Sequence, residues 1–207
     1  MQSLEVVHDP GALVVSELAL FPVKSVAGLR PARVDVGPQG LAGDRGFVLA
    51  PVGGEALTAK TAPRLRELEL SGSAGAPLVR APGAEPGDLA AVARHLGLDA
   101  PLELRAAPGG ARQVAAVHVV TTLERDEPGA GDASRANLVL APAAGAHPPA
   151  ALPEGAVLEV GGVLLRLGRP PRHCAGSFAE VLRAGAVRTG DAARLRARPG
   201  GAPGSPG

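Results

Sequence analysis

The chain has 207 residues, enough for one sizeable domain or two small ones, and 45% of them are hydrophobic, so it can bury a real core. It carries 21 Lys and Arg against 20 Asp and Glu, which argues against a global attraction to nucleic acid or to an anionic membrane. No stretch approaches the roughly 20 apolar residues of a membrane span, and residues 1–5 lack the pattern of a secretory signal. We therefore expect a soluble cytoplasmic protein with no membrane or nucleic-acid partner, in which any anion site is local.

Aromatic residues and cysteine are both scarce. The chain has three Phe, no Tyr and no Trp, so its core must be aliphatic and a base-stacking platform for single-stranded nucleic acid is disfavoured. Its one Cys rules out an intrachain disulfide framework and fits a reducing compartment.

Short β-prone segments bounded by Gly and Pro fill most of the first 80 residues. The first strand is predicted over 12–20 and ends at Phe21-Pro22, because proline cannot donate to a ladder. Further short strands are predicted at 32–36, 46–50, 56–59, 65–70 and 77–80. This close spacing is typical of a small barrel or sandwich.

One helix is predicted in this half. Residues 85–88 can begin it, apolar residues between 89 and 96 recur at helical spacing, and Gly97 can end it.

The second half repeats the pattern of short strands and turns. A turn is predicted at 108–110 and a polar loop over 124–134. The connector 141–153 is rich in Ala, Pro and Gly, so we expect little ordered structure there. Strands are predicted at 115–120 and 137–140.

The clearest hairpin follows the connector. Val157–Val160 and Val163–Leu167 alternate on either side of Gly161-Gly162, a pair suited to a tight turn. Beyond it, Ser177 is predicted to cap a helix that runs to Ala184, and a last β element is predicted around the turn 189–191. We expect the Pro- and Gly-rich tail from Arg198 to be disordered.

Cys174 follows this hairpin and lies beside Arg169, Arg172 and His173 in the sequence. Neighbouring cations favour the thiolate, which is the form that acts as a nucleophile or a metal ligand. An isolated cysteine is also often an inert small hydrophobe, so both interpretations stay open at this point.

Two stretches of the first half place a cationic side chain in local sequence surroundings that suit the binding of an oxyanion. Lys24-Ser25 directly follows a predicted strand, and Arg45 follows several glycines that let backbone N–H groups approach an anion. The alternatives are a solvated Lys24 and an Arg45 that pairs with Asp44 or Asp35.

The chain carries, in this order, Phe21-Pro22-Val23-Lys24-Ser25, Gly40-Leu41-Ala42-Gly43-Asp44-Arg45, residues 57–65, Val117-His118-Val119-Val120-Thr121-Thr122, Arg135-Ala136-Asn137-Leu138-Val139-Leu140 and Cys174. The order of these segments resembles the MOSC family, the molybdenum cofactor sulfurase C-terminal domain preceded by its N-terminal β-barrel domain. The resemblance runs from about residue 13 to 195.

The resemblance implies a mainly β fold with a few short helices. It implies an N-terminal β-barrel-like domain (12–100) packed on a MOSC β-barrel domain (101–197), with a cofactor pocket between them and a disordered tail (198–207).

It also implies a molybdenum cofactor, in which a molybdopterin holds the metal. Cys174 would be the metal ligand and the catalytic residue. The residues implied around the pterin and its phosphate are Lys24, Ser25, Arg45, Thr121, Thr122, Arg135 and Asn137. From the residues alone, Thr121 and Thr122 could instead be strand-end hydroxyls bonded to backbone, Asn137 could form a turn, and His118 is expected to be a packed core histidine.

The activity implied is a molybdenum-dependent oxidoreductase that reduces small N-hydroxylated compounds. Its electrons would come from a separate protein, because one cysteine cannot hold an iron–sulfur cluster. A sulfur carrier with a Cys174 persulfide and a non-catalytic molybdopterin-binding module are the alternatives. Pyridoxal phosphate binding is implied only as a term applied to the family.

Overall fold

The computed structural model describes residues 12–107, 115–131, 135–149 and 151–196, and the predicted mainly β class is confirmed. The helices of these residues are a 3₁₀ helix at Pro63–Glu67, α1 (Leu89–Leu96) and α2 (Thr122–Arg125). The strands are β1 (Leu13–Leu18), β2 (Arg33–Gly37), β3 (Gly40–Leu41), β4 (Phe47–Pro51), β5 (Glu69–Ser73), β6 (Ala76–Arg80), β7 (Leu102–Ala106), β8 (Val117–Thr121), β9 (Leu138–Pro142), β10 (Val157–Val160), β11 (Val163–Leu167), β12 (Ser177–Arg183), β13 (Gly185–Arg188) and β14 (Ala192–Arg196).

Seven of these strands form a closed barrel in the order β1-β14-β10-β11-β12-β8-β9. Its pairs are antiparallel except β8 and β9, which run parallel. Alternate residues of β11, namely Val163, Leu165 and Leu167, are buried, as the two-residue period of a strand requires. The barrel interior is therefore aliphatic, as the scarcity of aromatic residues predicts.

The predicted hairpin is confirmed. Val160 pairs with Val163, which leaves Gly161 and Gly162 as a two-residue turn. Gly161 has φ +54°, and a Cβ there would lie 2.7 Å from the Ala186 carbonyl oxygen, so glycine is needed both for the turn and for the close approach.

The chain forms two compact units that are not continuous in sequence. Unit 1 comprises Met1–Leu18, Ala32–Gly40 and Ala115–Gly207, and includes the closed barrel. This division differs from the contiguous boundary predicted at residue 100, because β1 completes the barrel between β14 and β9 and β2 pairs with β13.

Unit 2 comprises Ala19–Pro31 and Leu41–Val114. It contains two two-stranded sheets, one formed by β4 and β7 and the other by β5 and β6. It also has its own aliphatic core, which includes Leu49, Leu65 and Val92.

The predicted helix of the first half is confirmed as α1. The Asp88 side chain accepts a hydrogen bond from the Ala91 N–H at 2.9 Å and caps its N-terminus. Gly97 ends the helix in the left-handed conformation, with φ +71°.

The predicted helix over 177–184 is wrong, since these residues form β12. The segment pairs with β8 on one side and β11 on the other, and Ser177 and Ala179 are buried while Glu180 is exposed. Its sequence fits the two-residue period of a strand as well as a helical period. It forms a strand because its pairing with β8 and β11 closes the barrel.

Two strands predicted in unit 2 are also wrong or displaced. Residues 56–59 form no strand, because Thr58 and Thr61 make a hydrogen-bonded turn in which the Ala62 N–H donates to the Thr58 carbonyl at 2.8 Å. Residues 65–70 divide between the 3₁₀ helix and β5, and Pro63 favours the start of that helix.

Three expectations for unit 1 need correction. The polar loop predicted over 124–134 overlaps the end of α2. The connector is partly ordered, since Leu152 is buried and its N–H donates to Glu124 Oε1 at 3.3 Å. The last β element is two strands that pair elsewhere, β13 with β2, and β14 with β1 and β10.

The predicted turn at 108–110 and the predicted disorder beyond Arg198 lie outside the described residues. Within the described part, no helix has the length and apolar character needed to cross a membrane.

Candidate functional site

Cys174 is half-buried in the loop between β11 and β12. The chain around Gly131 runs beside this loop. It makes an antiparallel bridge with Cys174, and the Ala175 N–H donates to the Ala130 carbonyl at 2.6 Å. Gly131 has φ +70°, and a Cβ there would lie 2.2 Å from the His173 carbonyl oxygen. Only glycine therefore allows the two segments to approach so closely.

Cys174 and Ala175 pack against a small buried cluster of Val120, Ala136 and Val139. Val120 is the last residue before the predicted Thr121-Thr122 pair, and Ala136 lies between Arg135 and Asn137. The parallel pairing of β8 and β9 places these two segments side by side. Unit 1 thus brings the cysteine together with both of the other motifs predicted for this half.

Asn137 is fully buried, with 0% of its surface exposed. Its Oδ1 accepts from the His118 N–H at 3.0 Å, and its N–H donates to the His118 carbonyl at 2.8 Å. In this conformation the side chain has no exposed surface to offer to a ligand. It links the parallel strands β8 and β9 instead.

Thr121 is also fully buried, and its hydroxyl caps α2. The hydroxyl accepts from the Glu124 N–H at 3.0 Å and donates to Glu124 Oε2 at 3.1 Å, and the Thr121 N–H donates to the same carboxylate. This reciprocal capping box follows from the Thr121-Thr122-Leu123-Glu124 pattern, which the sequence interpretation overlooked. Thr122 and Arg135 are partly exposed.

His118 of β8 and Arg125 of α2 also make defined contacts. His118 is a buried core histidine, as expected, with its ring centroid 5.6 Å from that of Phe178. Arg125 Nη1 lies 2.7 Å from Glu17 Oε1, and this hydrogen bond is the main cause that raises the pKa of Arg125.

In unit 2, the segments that carry Lys24 and Arg45 are paired through their backbones. The Lys24 N–H donates to the Phe47 carbonyl at 3.0 Å, the Phe47 N–H to the Pro22 carbonyl at 2.9 Å, and the Arg45 N–H to the Phe21 carbonyl at 2.8 Å. The two cationic motifs of the first half are therefore adjacent.

Both motifs contain a residue in the left-handed region. Ser25 has φ +66° and Arg45 has φ +53°, and among the described residues no other non-glycine residue has a positive φ. Such a conformation costs roughly 1–3 kcal/mol and persists when the surroundings fix it, which occurs often at ligand sites. Ser25 Oγ also accepts from the Ala59 N–H at 3.1 Å, so the third motif of this half, residues 57–65, meets the first.

Arg45 is held by Asp44 and Phe21. Arg45 Nη1 lies 2.6 Å from Asp44 Oδ2, and its Cζ lies 5.8 Å from the centre of the Phe21 ring. Of the two partners considered for Arg45, Asp44 is the one observed, since Asp35 pairs with Arg33. A guanidinium has five N–H donors, so this contact leaves capacity for an anion.

The predicted residues with accessible surface are Lys24, Ser25, Arg45, Thr122, Arg135 and Cys174, all of which are partly exposed. Their cationic, hydroxyl and thiol groups are the donor types that suit a phosphorylated pterin and a soft metal. Among the described residues, no group of three or more His, Cys, Asp and Glu side chains is placed to hold a metal ion.

Comparison with protein families gives a match in the first half of the chain. Residues 12–100 match the family model for the MOSC N-terminal beta barrel domain. A search of curated proteins found no match. Among solved structures, the YUAD protein from Bacillus subtilis is similar at 15% sequence identity and a TM-score of 0.46, over 89% of this chain and 95% of that one. The resemblance drawn from the motifs is therefore confirmed for residues 12–100, which match the MOSC N-terminal beta barrel domain.

Proposed function

We propose that this protein binds a molybdenum cofactor and reduces small N-hydroxylated compounds with electrons from a separate protein. The family match over residues 12–100 supports a MOSC-type protein. The observation that carries the proposal is the packing of Cys174 against Val120 and Ala136, because it joins the cysteine to both of the motifs that the resemblance assigns to the cofactor in this half.

The bound cofactor would supply the redox chemistry, by exchange of an oxygen atom with the substrate. Cys174 would donate its thiolate to the metal, since molybdenum accepts soft sulfur ligands. In unit 1, Arg135 would offer charge-assisted hydrogen bonds and Thr122 a hydroxyl donor to the cofactor. Lys24, Arg45 and Ser25 of unit 2 carry the same types of donor.

Thr121 and Asn137 have a different role in this proposal from the direct contact that the resemblance implies. Both are fully buried and bonded within unit 1. We assign them to positioning, Thr121 through the cap of α2 and Asn137 through its link to His118. The neighbouring Thr122 and Arg135, which have accessible surface, would then make the contacts.

The test is the composition and turnover of the full chain produced in a cell that makes the cofactor. Metal analysis and fluorescence of oxidised pterin should give equimolar molybdenum and pterin. Reduction of hydroxylaminopurine or an amidoxime with a reduced viologen dye should then be catalytic. Protein without pterin or molybdenum would contradict the proposal. Cyanide-labile sulfur without metal would favour sulfur carriage, and bound pterin without turnover would favour a binding module.

A further inference from the structure

His118 lies where two of the segments around Cys174 meet. Its backbone N–H and carbonyl are both bonded to Asn137, at 3.0 and 2.8 Å. Its ring Nε2 lies 3.0 Å from the carbonyl oxygen of Ala175, the residue that follows Cys174. His118 thus ties the two segments together, the Arg135-Ala136-Asn137 segment through its backbone and the Cys174 loop through its ring.

The partner of the ring fixes its tautomer. A carbonyl oxygen only accepts, so Nε2 must carry the proton that it shares with Ala175. His118 is 5% exposed and its ring lies against Phe178, which limits the freedom of the ring to turn away. This hydrogen bond is therefore shielded from water.

The backbone after Cys174 leaves little room at this point. A Cβ on Gly176 would lie 2.3 Å from the Val119 carbonyl oxygen and 3.0 Å from His118 Nε2. The loop therefore lies directly on β8, and the His118 ring bonds to it immediately beyond the cysteine.

We propose that His118 is a positioning residue whose Nε2–H holds the Ala175 carbonyl and so sets the orientation and exposure of the Cys174 thiol. His118 acts through Ala175 and is not itself a ligand. As a part of the reaction this role rests on the proposed function, whereas the hold on the loop is a property of the chain alone.

The rate at which iodoacetamide alkylates the folded full-length chain tests the proposal, because Cys174 is its one cysteine. His118→Phe keeps a ring against Phe178 but lacks the donor, whereas His118→Gln loses the ring and keeps an N–H near the Nε2 position. We expect His118→Phe to be alkylated about tenfold faster than the wild type, since a net hydrogen bond corresponds to roughly this factor in a local opening equilibrium. His118→Gln should stay within about twofold of the wild type.

His95→Phe is the control, since it makes the same exchange on α1 in unit 2 and should leave the rate unchanged. The opposite order, with His118→Gln fast and His118→Phe slow, would show that ring packing holds the loop and would overturn the proposal. Equal rates in the two His118 variants and the wild type would also overturn it.

A spectrum of the wild type keeps the proposal testable if a variant does not fold. Long-range ¹H–¹⁵N correlations should show the proton of His118 on Nε2, and a proton on Nδ1 alone would contradict the hydrogen bond. Neither measurement needs the cofactor. A chain without molybdenum and pterin would therefore contradict the proposed function and leave this inference intact. Unchanged alkylation rates in the His118 variants would contradict this inference and leave the proposed function intact.

Discussion

The Asp44 carboxylate binds Arg45 through Oδ2 at 2.6 Å, and its other oxygen accepts from the backbone N–H of Phe21 at 2.7 Å. The side chains of Asp44 and Arg45 are only 6% and 13% exposed. Asp44 thus fixes Arg45 and ties the two cationic segments of unit 2 to each other.

Two substitutions of Asp44 should distinguish the contributions of its two contacts to stability. Asp44→Ala removes both and should lower the free energy of unfolding by about 3 kcal/mol, the scale for breaking a mostly buried ion pair. Asp44→Asn keeps an acceptor for the Phe21 N–H and should cost about 1–2 kcal/mol. Urea denaturation followed by circular dichroism measures both. Equal stability of the two variants would show that the retained acceptor contributes nothing.

Arg45→Ala should release the pterin with little change in the fold, because it removes a charge-assisted donor and opens no core cavity. Arg33→Ala is the matched control, since Arg33 also pairs with an aspartate but is exposed. Pterin content, measured by fluorescence after oxidation, should fall in the first variant alone. An unchanged content in Arg45→Ala would remove Arg45 from the site.

Ser25 combines backbone strain with a hydrogen bond, and two substitutions distinguish them. Ser25→Ala keeps the left-handed strain and loses the bond to the Ala59 N–H, so it should cost about 1–2 kcal/mol. Ser25→Gly loses the same bond but relieves the strain, so it should be about 1 kcal/mol more stable than the alanine variant. Thermal unfolding of the two proteins compares them directly. A glycine variant no more stable than the alanine variant would show that φ at Ser25 is not strained.

Gly131→Ala should disturb the Cys174 loop. The new Cβ would lie 2.2 Å from the His173 carbonyl oxygen, which should cost about 1–3 kcal/mol beyond the cost of a positive φ. Gly129→Ala is the control, since Gly129 has φ +89° but nothing within 4 Å of an added Cβ. Unfolding midpoints and Cys174 alkylation rates should both change more in Gly131→Ala. Equal effects in the two variants would show that the contact with the Cys174 loop is not tight.

The elements that the sequence predicts well are those set by local chemistry. The hairpin at Gly161-Gly162 depends on its turn residues, and α1 depends on its caps at Asp88 and Gly97. Residues 177–183 fit both a helical period and a strand period, and only the pairing of β12 with β8 and β11 distinguishes the strand from the predicted helix.

The order of the site motifs is visible in the sequence, but the sequence does not show which residues of these motifs are buried and which have accessible surface. Nothing local indicates that Asn137 is fully buried, since asparagine is usually exposed and its partner His118 is 19 residues away. The insertion of β1 between β14 and β9 is likewise a long-range pairing that no local pattern specifies. The capping box at Thr121 and Glu124 was visible and could have been predicted.

The exchange of Cys174 for serine tests the central claim most directly. Serine is nearly isosteric, so if Cys174 only packs against Val120 and Ala136, the variant should lose about 1–3 kcal/mol of stability and keep its activity. A hydroxyl is a harder and far less acidic ligand than a thiol. If Cys174 binds the metal, Cys174→Ser should therefore keep its pterin and lose reduction of hydroxylaminopurine or an amidoxime. The measurement is paired pterin content and turnover in a variant whose melting temperature stays close to that of the wild type. Full turnover by the molybdenum-loaded serine variant would contradict the assignment of Cys174 as the metal ligand.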